Sequence, residues 1–153
     1  MPIYLVRHAQ AGERHNTDDD HLRPLTDAGR NQAAHLAERF AAIPVPQVVS
    51  SPFARCVQTV APVATAHRLS VELSETLAEG SAFASVIDLL VEVPDHTVLC
   101  SHGDVIPDTV AALVRRGMEV VGPEDWRKGS TWVLERDGDT FTQASVWAPP
   151  PQR

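Results

Sequence analysis

Near its N-terminus the sequence runs Ile3-Tyr4-Leu5-Val6-Arg7-His8, four apolar, β-prone residues followed directly by an arginine and a histidine. Such a run predicts a short buried strand with polar side chains where the strand ends. Two later runs repeat the arrangement, since Gln47-Val48-Val49-Ser50 leads to Arg55 and Thr97-Val98-Leu99-Cys100 leads to His102. The sequence therefore predicts three strands, each followed by side chains suited to binding or chemistry.

Helices are predicted between these strands. Apolar residues recur at helical spacing after Thr26, which we expect to be an N-cap, and Pro44 marks the end of that helix. A second helix is expected to start at Ser51-Pro52, where a capping serine precedes proline at the first helical position. Pro62 lies inside this second helix and is expected to kink it or end it early.

The remaining pattern completes an alternation of strands and helices. In chain order it predicts a strand at 71–73, a helix at 83–91, a helix at 105–116 capped by Gly117, and a hairpin of strands 131–135 and 141–147. This order favours a three-layer α/β/α sandwich with a mostly parallel central sheet. Because ligands bind beyond the carboxyl ends of such strands, we expect Arg7-His8, Arg55 and His102 to meet at one rim.

Length and charge limit the class of protein. The 153 residues fit one domain, which we place at 1–148 with a short Pro-rich tail at 149–153. The net charge of −7 argues against binding to a nucleic-acid backbone or an anionic membrane. Cys56 and Cys100 lie in apolar stretches and show no metal-ligand spacing, which is typical of core residues in a reducing compartment. With no segment long enough to span a bilayer, we expect a soluble cytoplasmic protein.

The predicted rim suits a compact dianion such as phosphate. Arg7 and Arg55 offer planar forks of donors to phosphoryl oxygens, and helix N-termini add backbone N–H groups. The sequence has no Walker-type loop and no histidine–carboxylate cluster at metal-ligand spacing, so we expect no metal and no cofactor. A neutral histidine in such a pocket can attack phosphorus. The leaving oxygen then needs a general acid, for which the residues alone leave Glu72, Glu75 and Glu79 open.

Four segments carry a family resemblance. They are residues 3–9, which resemble an Arg-His-Gly signature with Ala9 in the place of glycine, and residues 23–33, 50–59 and 101–103. In this order they resemble the motifs of the histidine phosphatase superfamily, whose fold is the phosphoglycerate mutase-like one. The resemblance covers about residues 2 to 110. The length is similar to that of the compact SixA-like branch, and Arg127–Leu134 is similar to the phosphatase domain of actinobacterial MutT-type Nudix hydrolases.

The resemblance implies a role for each matching residue. His8 would be the phosphorylated nucleophile, and Arg7, Arg55 and His102 would hold the phosphate, with His102 also part of the catalytic set. Glu79 would be the proton donor, because Leu77-Ala78-Glu79-Gly80 is the segment most similar to the acid-bearing one. The implied activity is metal-independent hydrolysis of phosphomonoesters or protein phosphohistidine, acting on a phosphorylated small molecule or phosphoprotein. The alternative is a weakly active or inactive phosphate-binding module with the same pocket. A mutase is disfavoured because the stretch from Glu79 to the strand at Thr97 is too short for a large lid.

Other charged residues receive a weaker interpretation. Arg14, Arg23 and Lys128 could reach a second phosphate or a protein partner, or could be solvated. Asp18-Asp19-Asp20 is expected to be an acidic loop rather than a divalent-metal site. The other histidines are expected to be ordinary surface residues, namely His15, His21, His35, His67 and His96.

Overall fold

The computed structural model describes residues 1–13 and 19–153. The expectations for Arg14, His15 and Asp18 fall outside this described part. Its strands are β1 Pro2–Arg7, β2 Val48–Ser50, β3 Val71–Leu73, β4 Val98–Ser101, β5 Glu119–Val120, β6 Thr131–Asp137 and β7 Thr140–Trp147. Its α-helices are α1 Asp27–Phe40, α2 Ala54–Ala66, α3 Phe83–Glu92 and α4 Val105–Arg115, and short 3-10 turns lie at Asp20–Leu22 and Glu75–Leu77. Within these described ranges, no helix combines the length and apolarity needed to cross a bilayer.

All seven strands form one sheet in the order β3-β2-β4-β1-β6-β7-β5. Strands β1, β2, β3 and β4 are mutually parallel, and β6 runs antiparallel to both β1 and β7. The register sets Arg7 opposite Ser101 and Ser50 opposite Cys100, so the ends of β1, β2 and β4 are level with one another. The mostly parallel sheet is confirmed, and the short strand β5 beside β7 was not predicted, because two residues carry no readable periodicity.

Helices cover both faces of the sheet. Ile3 and Leu5 of β1 belong to a core cluster with α3 and α4, whereas Tyr4 and Val6 belong to a second cluster with α1 and α2. Side chains that alternate along a strand point to opposite faces, so β1 contributes to both layers. The three-layer arrangement is therefore confirmed.

The start of α1 agrees with the prediction. Thr26 is the N-cap, and its hydroxyl accepts a hydrogen bond from Gly29 N at 3.1 Å. Gly29 is required there because a Cβ at this position would lie 2.0 Å from the carbonyl oxygen of Gln10. This close approach fixes the start of α1 against the segment that follows β1.

The start of α2 differs from the prediction. The helix begins at Ala54 with Phe53 as its N-cap, not at Ser51-Pro52. The Ser51 hydroxyl lies 2.8 Å from Nε2 of His102 and accepts a hydrogen bond from Phe53 N at 3.3 Å, so it holds the turn that precedes the helix. The helix also continues past Pro62 to Ala66, so the early end allowed for at that proline does not occur.

The C-terminal segment lies against α1. Asn31 Nδ2 donates to the Gln152 carbonyl at 3.0 Å, Gln32 Nε2 donates to the Pro150 carbonyl at 3.3 Å, and Arg39 donates to the Ala148 carbonyl. The Pro-rich tail therefore forms part of the folded surface in addition to following the hairpin of β6 and β7.

Candidate active site

A cavity of about 490 Å³ lies at the carboxyl ends of β1 and β4. Its lining includes Arg7, His8, Arg55, Glu79 and His102. The structure thus brings together the five residues that the sequence analysis singled out. The remaining lining residues are Ala11, Gly12, Glu13, Arg23, Gly103, Asp104 and Lys128.

The backbone of Arg7 and His8 is held on both sides. His8 N donates to the Ser101 carbonyl at 3.1 Å, and Gly129 N donates to the carbonyls of Arg7 and His8 at 3.1 Å each. Ala9, in the usual place of a glycine, is buried, and its N–H donates to Thr59 Oγ1 at 2.9 Å. The end of β1 is therefore a rigid support for both side chains.

The His8 imidazole is buried and neutral. Its Nδ1 lies 2.9 Å from the Ala9 carbonyl oxygen. Because a carbonyl oxygen only accepts hydrogen bonds, Nδ1 carries the proton and Nε2 keeps its lone pair. Burial lowers the pKa of His8 to about 3, and the guanidinium groups of Arg55 and Arg7 act in the same direction, against the Ala9 bond that raises the pKa. At neutral pH the His8 imidazole is therefore uncharged, with a lone pair on Nε2.

The Arg7 guanidinium lies between β1 and the turn before α4. Its Nη1 donates to the Trp126 carbonyl at 2.6 Å, and its buried Nε has no hydrogen-bond partner among the described residues. Gly103 lies directly against it, since a Cβ there would be 2.7 Å from Arg7 Cζ. The absent side chain of Gly103 is therefore what leaves room for this guanidinium.

Arg55 is almost fully buried and is held by acidic groups. Its Nη1 donates to the Asp20 carbonyl at 2.9 Å, and its Nη2 lies 3.1 Å from Asp20 Oδ2 and 3.5 Å from Glu79 Oε2. The guanidinium also lies 4.9 Å from the centre of the Phe53 ring. Its buried Nε has no hydrogen-bond partner among the described residues.

The His102 ring is held by contacts with Ser51, Cys56 and Phe53. Its Nε2 lies 2.8 Å from Ser51 Oγ and 3.5 Å from Cys56 Sγ, and the Phe53 ring packs edge-on against it at 4.7 Å. The centres of the His8 and His102 rings are 5.6 Å apart. Both cysteines are buried and unpaired, as predicted, but the contact of Cys56 with His102 was not predicted.

Among the three glutamates, only Glu79 borders the cavity. Glu72 lies on the exposed edge strand β3, and Glu75 lies in the exposed 3-10 turn. Asp104 Oδ2 accepts a hydrogen bond from Gly80 N at 2.8 Å, which ties the Glu79 segment to the start of α4. The geometry therefore favours Glu79 as the acid of the site.

The acidic loop is divided between different contacts. Asp19 caps the turn that follows it, whereas Asp20 bridges Arg55 and Arg23, with Oδ1 3.0 Å from Arg23 Nε. No group of three or more His, Cys, Asp or Glu side chains in ranges 1–13 and 19–153 is arranged to hold a metal ion. His21, expected to be an ordinary surface residue, stacks at 4.1 Å on Phe53 at the edge of the site.

The contacts of four residues of the site were not predicted from the sequence, namely Asp20, Ser51, Gly103 and Asp104, although the strand end at Ser50-Ser51 was expected at the rim. Gly103 and Ser51 flank motif residues, so their position was the one available signal. Asp20 and Asp104 gave no signal, because only the folded chain shows which carboxylate reaches the rim.

Comparison with known proteins agrees with this site. A sequence profile described as the histidine phosphatase superfamily (branch 1) matches residues 3–84, more than half of the chain. The chain belongs to the histidine phosphatase superfamily. The matched part of this histidine phosphatase contains Arg7, His8, Arg55 and Glu79. Membership of this superfamily supports phosphatase chemistry at the cavity.

Three relatives are between 16% and 32% identical to this chain over the aligned residues. An 8-oxo-(d)GTP phosphatase of Mycolicibacterium smegmatis is 32% identical over 99% of this chain, and the chain spans about half of that relative, 49%. The protein histidine phosphatase SixA, solved with tungstate, is 21% identical and superposes with a TM-score of 0.77, covering 99% of this chain and 97% of that one. A mycobacterial glucosyl-3-phosphoglycerate phosphatase is 16% identical with a TM-score of 0.70, covering 97% and 99%. The two solved structures establish the shared fold.

Proposed function

We propose that this histidine phosphatase hydrolyses phosphorylated substrates without a metal ion, through a phosphohistidine intermediate on His8. The observation that carries the proposal is the state of His8, whose Nδ1 is bound to the Ala9 carbonyl while burial keeps the ring neutral. A neutral imidazole with a free Nε2 lone pair beside Arg7 and Arg55 is the arrangement that attack on phosphorus requires.

The first step transfers the phosphoryl group to the enzyme. Nε2 of His8 forms a bond to phosphorus while the bond from phosphorus to the leaving oxygen breaks, and the electron pair of that bond goes to the oxygen. Arg7, Arg55 and His102 bind the three non-bridging oxygens, where the charge is spread in the transition state. Glu79, in its protonated form, gives its proton to the leaving oxygen.

The second step returns the enzyme to its starting state. Glu79, now a carboxylate, accepts a proton from water as the water oxygen attacks phosphorus, and the bond from His8 Nε2 to phosphorus breaks. Inorganic phosphate leaves, and His8 is again neutral. The 37% exposure of the Glu79 side chain lets water reach this carboxylate.

The substrates proposed are phosphomonoesters and protein phosphohistidine. The site is open at the surface, which suits a phosphoprotein as well as a small molecule. The M. smegmatis relative is named for a nucleotide substrate, so nucleotides belong to the small molecules that merit testing. The alternative is a binding module with the same pocket. Phosphate or vanadate would stabilise such a module thermally, but it would release no phosphate from any ester.

The test measures phosphate release from phenyl phosphate in the presence of EDTA. We expect turnover by the wild type and a loss of at least about 10³-fold in His8→Asn, because the covalent route is then closed. His96→Asn is the matched control, because His96 lies outside the cavity and its φ of 68° is one that asparagine tolerates. Equal turnover in His8→Asn and wild type would contradict the proposal, and binding of vanadate without any turnover would favour the binding module.

A further inference from the structure

A second cavity of about 440 Å³ adjoins the first. Its walls are Gln10, Gln32 and Arg127 on one side and the tail residues 149–152 on the other. Arg7 and Lys128 line both cavities and therefore mark the boundary between them. The two cavities therefore have the Arg7 and Lys128 side chains in common.

The charges of the first cavity are largely compensated, except at that boundary. Arg55 and Arg23 both contact Asp20, and Arg55 also contacts Glu79. Asp104 is hydrogen bonded to Gly80 N, and Glu13 is exposed and borders the first cavity but not the second. Arg7 and Lys128 are therefore the remaining cations of the cavity.

The surroundings of Arg7 and Lys128 are different. Among the described residues, the Arg7 guanidinium donates to the neutral Trp126 carbonyl. Within ranges 1–13 and 19–153, the half-buried Lys128 ammonium has no carboxylate within ion-pair distance. Burial lowers the pKa of Lys128, and the like charges of Arg7, Arg23 and Arg55 lower it further. An anion placed between Arg7 and Lys128 would relieve this repulsion as well as pair with both.

Beyond the shared Arg7 and Lys128, the second cavity is lined by Arg127, whose charge is paired with Asp125, and otherwise by amide and proline side chains. Gln32 is buried and satisfied, because its Oε1 accepts from Gln10 N at 3.1 Å and its Nε2 donates to the Pro150 carbonyl at 3.3 Å. Proline rings form the opposite wall. Amides and proline rings suit the uncharged body of a leaving group rather than a further anion.

We propose that Lys128 determines specificity for substrates whose transferred phosphoryl group is joined to a leaving group with a second phosphate, with the body of that leaving group in the second cavity. The class of substrate is a diphosphate from which the terminal phosphate is removed. This inference rests on the proposed phosphatase function. It assigns Lys128 to the second phosphate and leaves the transferred phosphoryl group to Arg7, Arg55 and His102.

The experiment compares kcat/KM for adenosine diphosphate, adenosine monophosphate and phenyl phosphate in wild type and Lys128→Met. We expect kcat/KM for the diphosphate to fall about tenfold in Lys128→Met. This is the lower end of the range for a hydrogen bond to a charged group, because Lys128 is partly exposed. For the other two substrates kcat/KM should stay within about threefold of the wild-type value, because neither has the second phosphate that Lys128 would bind. Lys128→Arg should recover most of the loss, since it restores the positive charge.

Arg30→Met is the control for the loss of one positive charge, because the Arg30 side chain is 56% exposed and lies outside both cavities. An equal loss on all three substrates, or none on the diphosphate, would overturn the inference while turnover of phenyl phosphate upholds the phosphatase function. Absence of wild-type turnover on every substrate would instead count against the proposed function itself.

Discussion

Replacement of Gly103 by alanine tests the position of the Arg7 guanidinium, because the three atoms nearest to the added Cβ all belong to that group. A Cβ at position 103 would lie 2.7 Å from Cζ and Nη2 of Arg7 and 2.8 Å from its Nε. Non-bonded carbon atoms prefer separations of about 3.5–4.0 Å, so the guanidinium must move by about 1 Å. The atoms displaced are the far end of a flexible side chain, so the fold can absorb the change while the phosphate pocket cannot.

The expected effect on catalysis follows from that displacement. A misplacement of about 1 Å at a reacting centre costs on the order of 10²-fold in rate. We therefore expect kcat/KM for phenyl phosphate to fall about 10²-fold in Gly103→Ala, with a urea unfolding midpoint close to that of the wild type. The affinity for vanadate, measured by thermal stabilisation, should fall in parallel, because Arg7 is expected to bind both anions.

Gly12→Ala is the matched control. Gly12 also borders the cavity, but the nearest atom to a Cβ there is the Pro24 carbonyl oxygen at 3.8 Å, which is ordinary contact. This variant should keep activity within about threefold of wild type, because no neighbouring atom has to move. If Gly103→Ala is folded and equally active, Arg7 does not hold the transferred phosphoryl group. If it fails to fold, the contact at Gly103 is structural and the reasoning is wrong in that respect.

Three further variants test other contacts. Asp20→Asn removes the carboxylate that bridges Arg55 and Arg23, and we expect the free energy of unfolding to fall by about 1–3 kcal/mol in urea titrations; an unchanged value would show that Asp20 does not stabilise buried Arg55. Ser51→Ala removes the hydroxyl beside buried His102 Nε2, and we expect kcat/KM to fall about tenfold and the free energy of unfolding to fall by about 1–3 kcal/mol, because His102 loses a buried hydrogen-bond partner; full activity would show that His102 does not depend on that bond. For His8, the folded pKa of about 3 lies below the unfolded value of 6.5, so protons bind the unfolded chain first as the pH falls. The stability of the wild type relative to His8→Asn should therefore fall by about 2 kcal/mol from pH 7 to pH 5, and a constant difference would mean that His8 is not buried as a neutral ring.

The positions of Arg7, His8 and His102 could be predicted from sequence because each follows directly on a buried strand. The order of strands and helices then sets those strand ends at one edge of a parallel sheet, and the register of Arg7 opposite Ser101 agrees with this expectation. Arg55 lies in the first turn of α2, so an error of two residues in the start of that helix did not change the edge on which it lies.

The contacts that hold these side chains could not be predicted. Asp18, Asp19 and Asp20 are chemically identical neighbours, and only the path of the loop decides that Asp20 reaches Arg55. Ser51 before proline has the ordinary pattern of a helix cap, but a tertiary contact with His102 uses its hydroxyl. Long-range contacts of this kind leave no periodic signal in the chain.

The formation of a phosphohistidine on His8 is the claim on which the proposed chemistry depends. The most direct measurement mixes the protein with phenyl phosphate in EDTA, quenches at alkaline pH within a turnover, and maps the added phosphate by mass spectrometry. We expect an acid-labile phosphate on His8 in wild type and its absence in His8→Asn. Turnover with no phosphate on His8 at any time, or phosphate trapped on another residue, would contradict it.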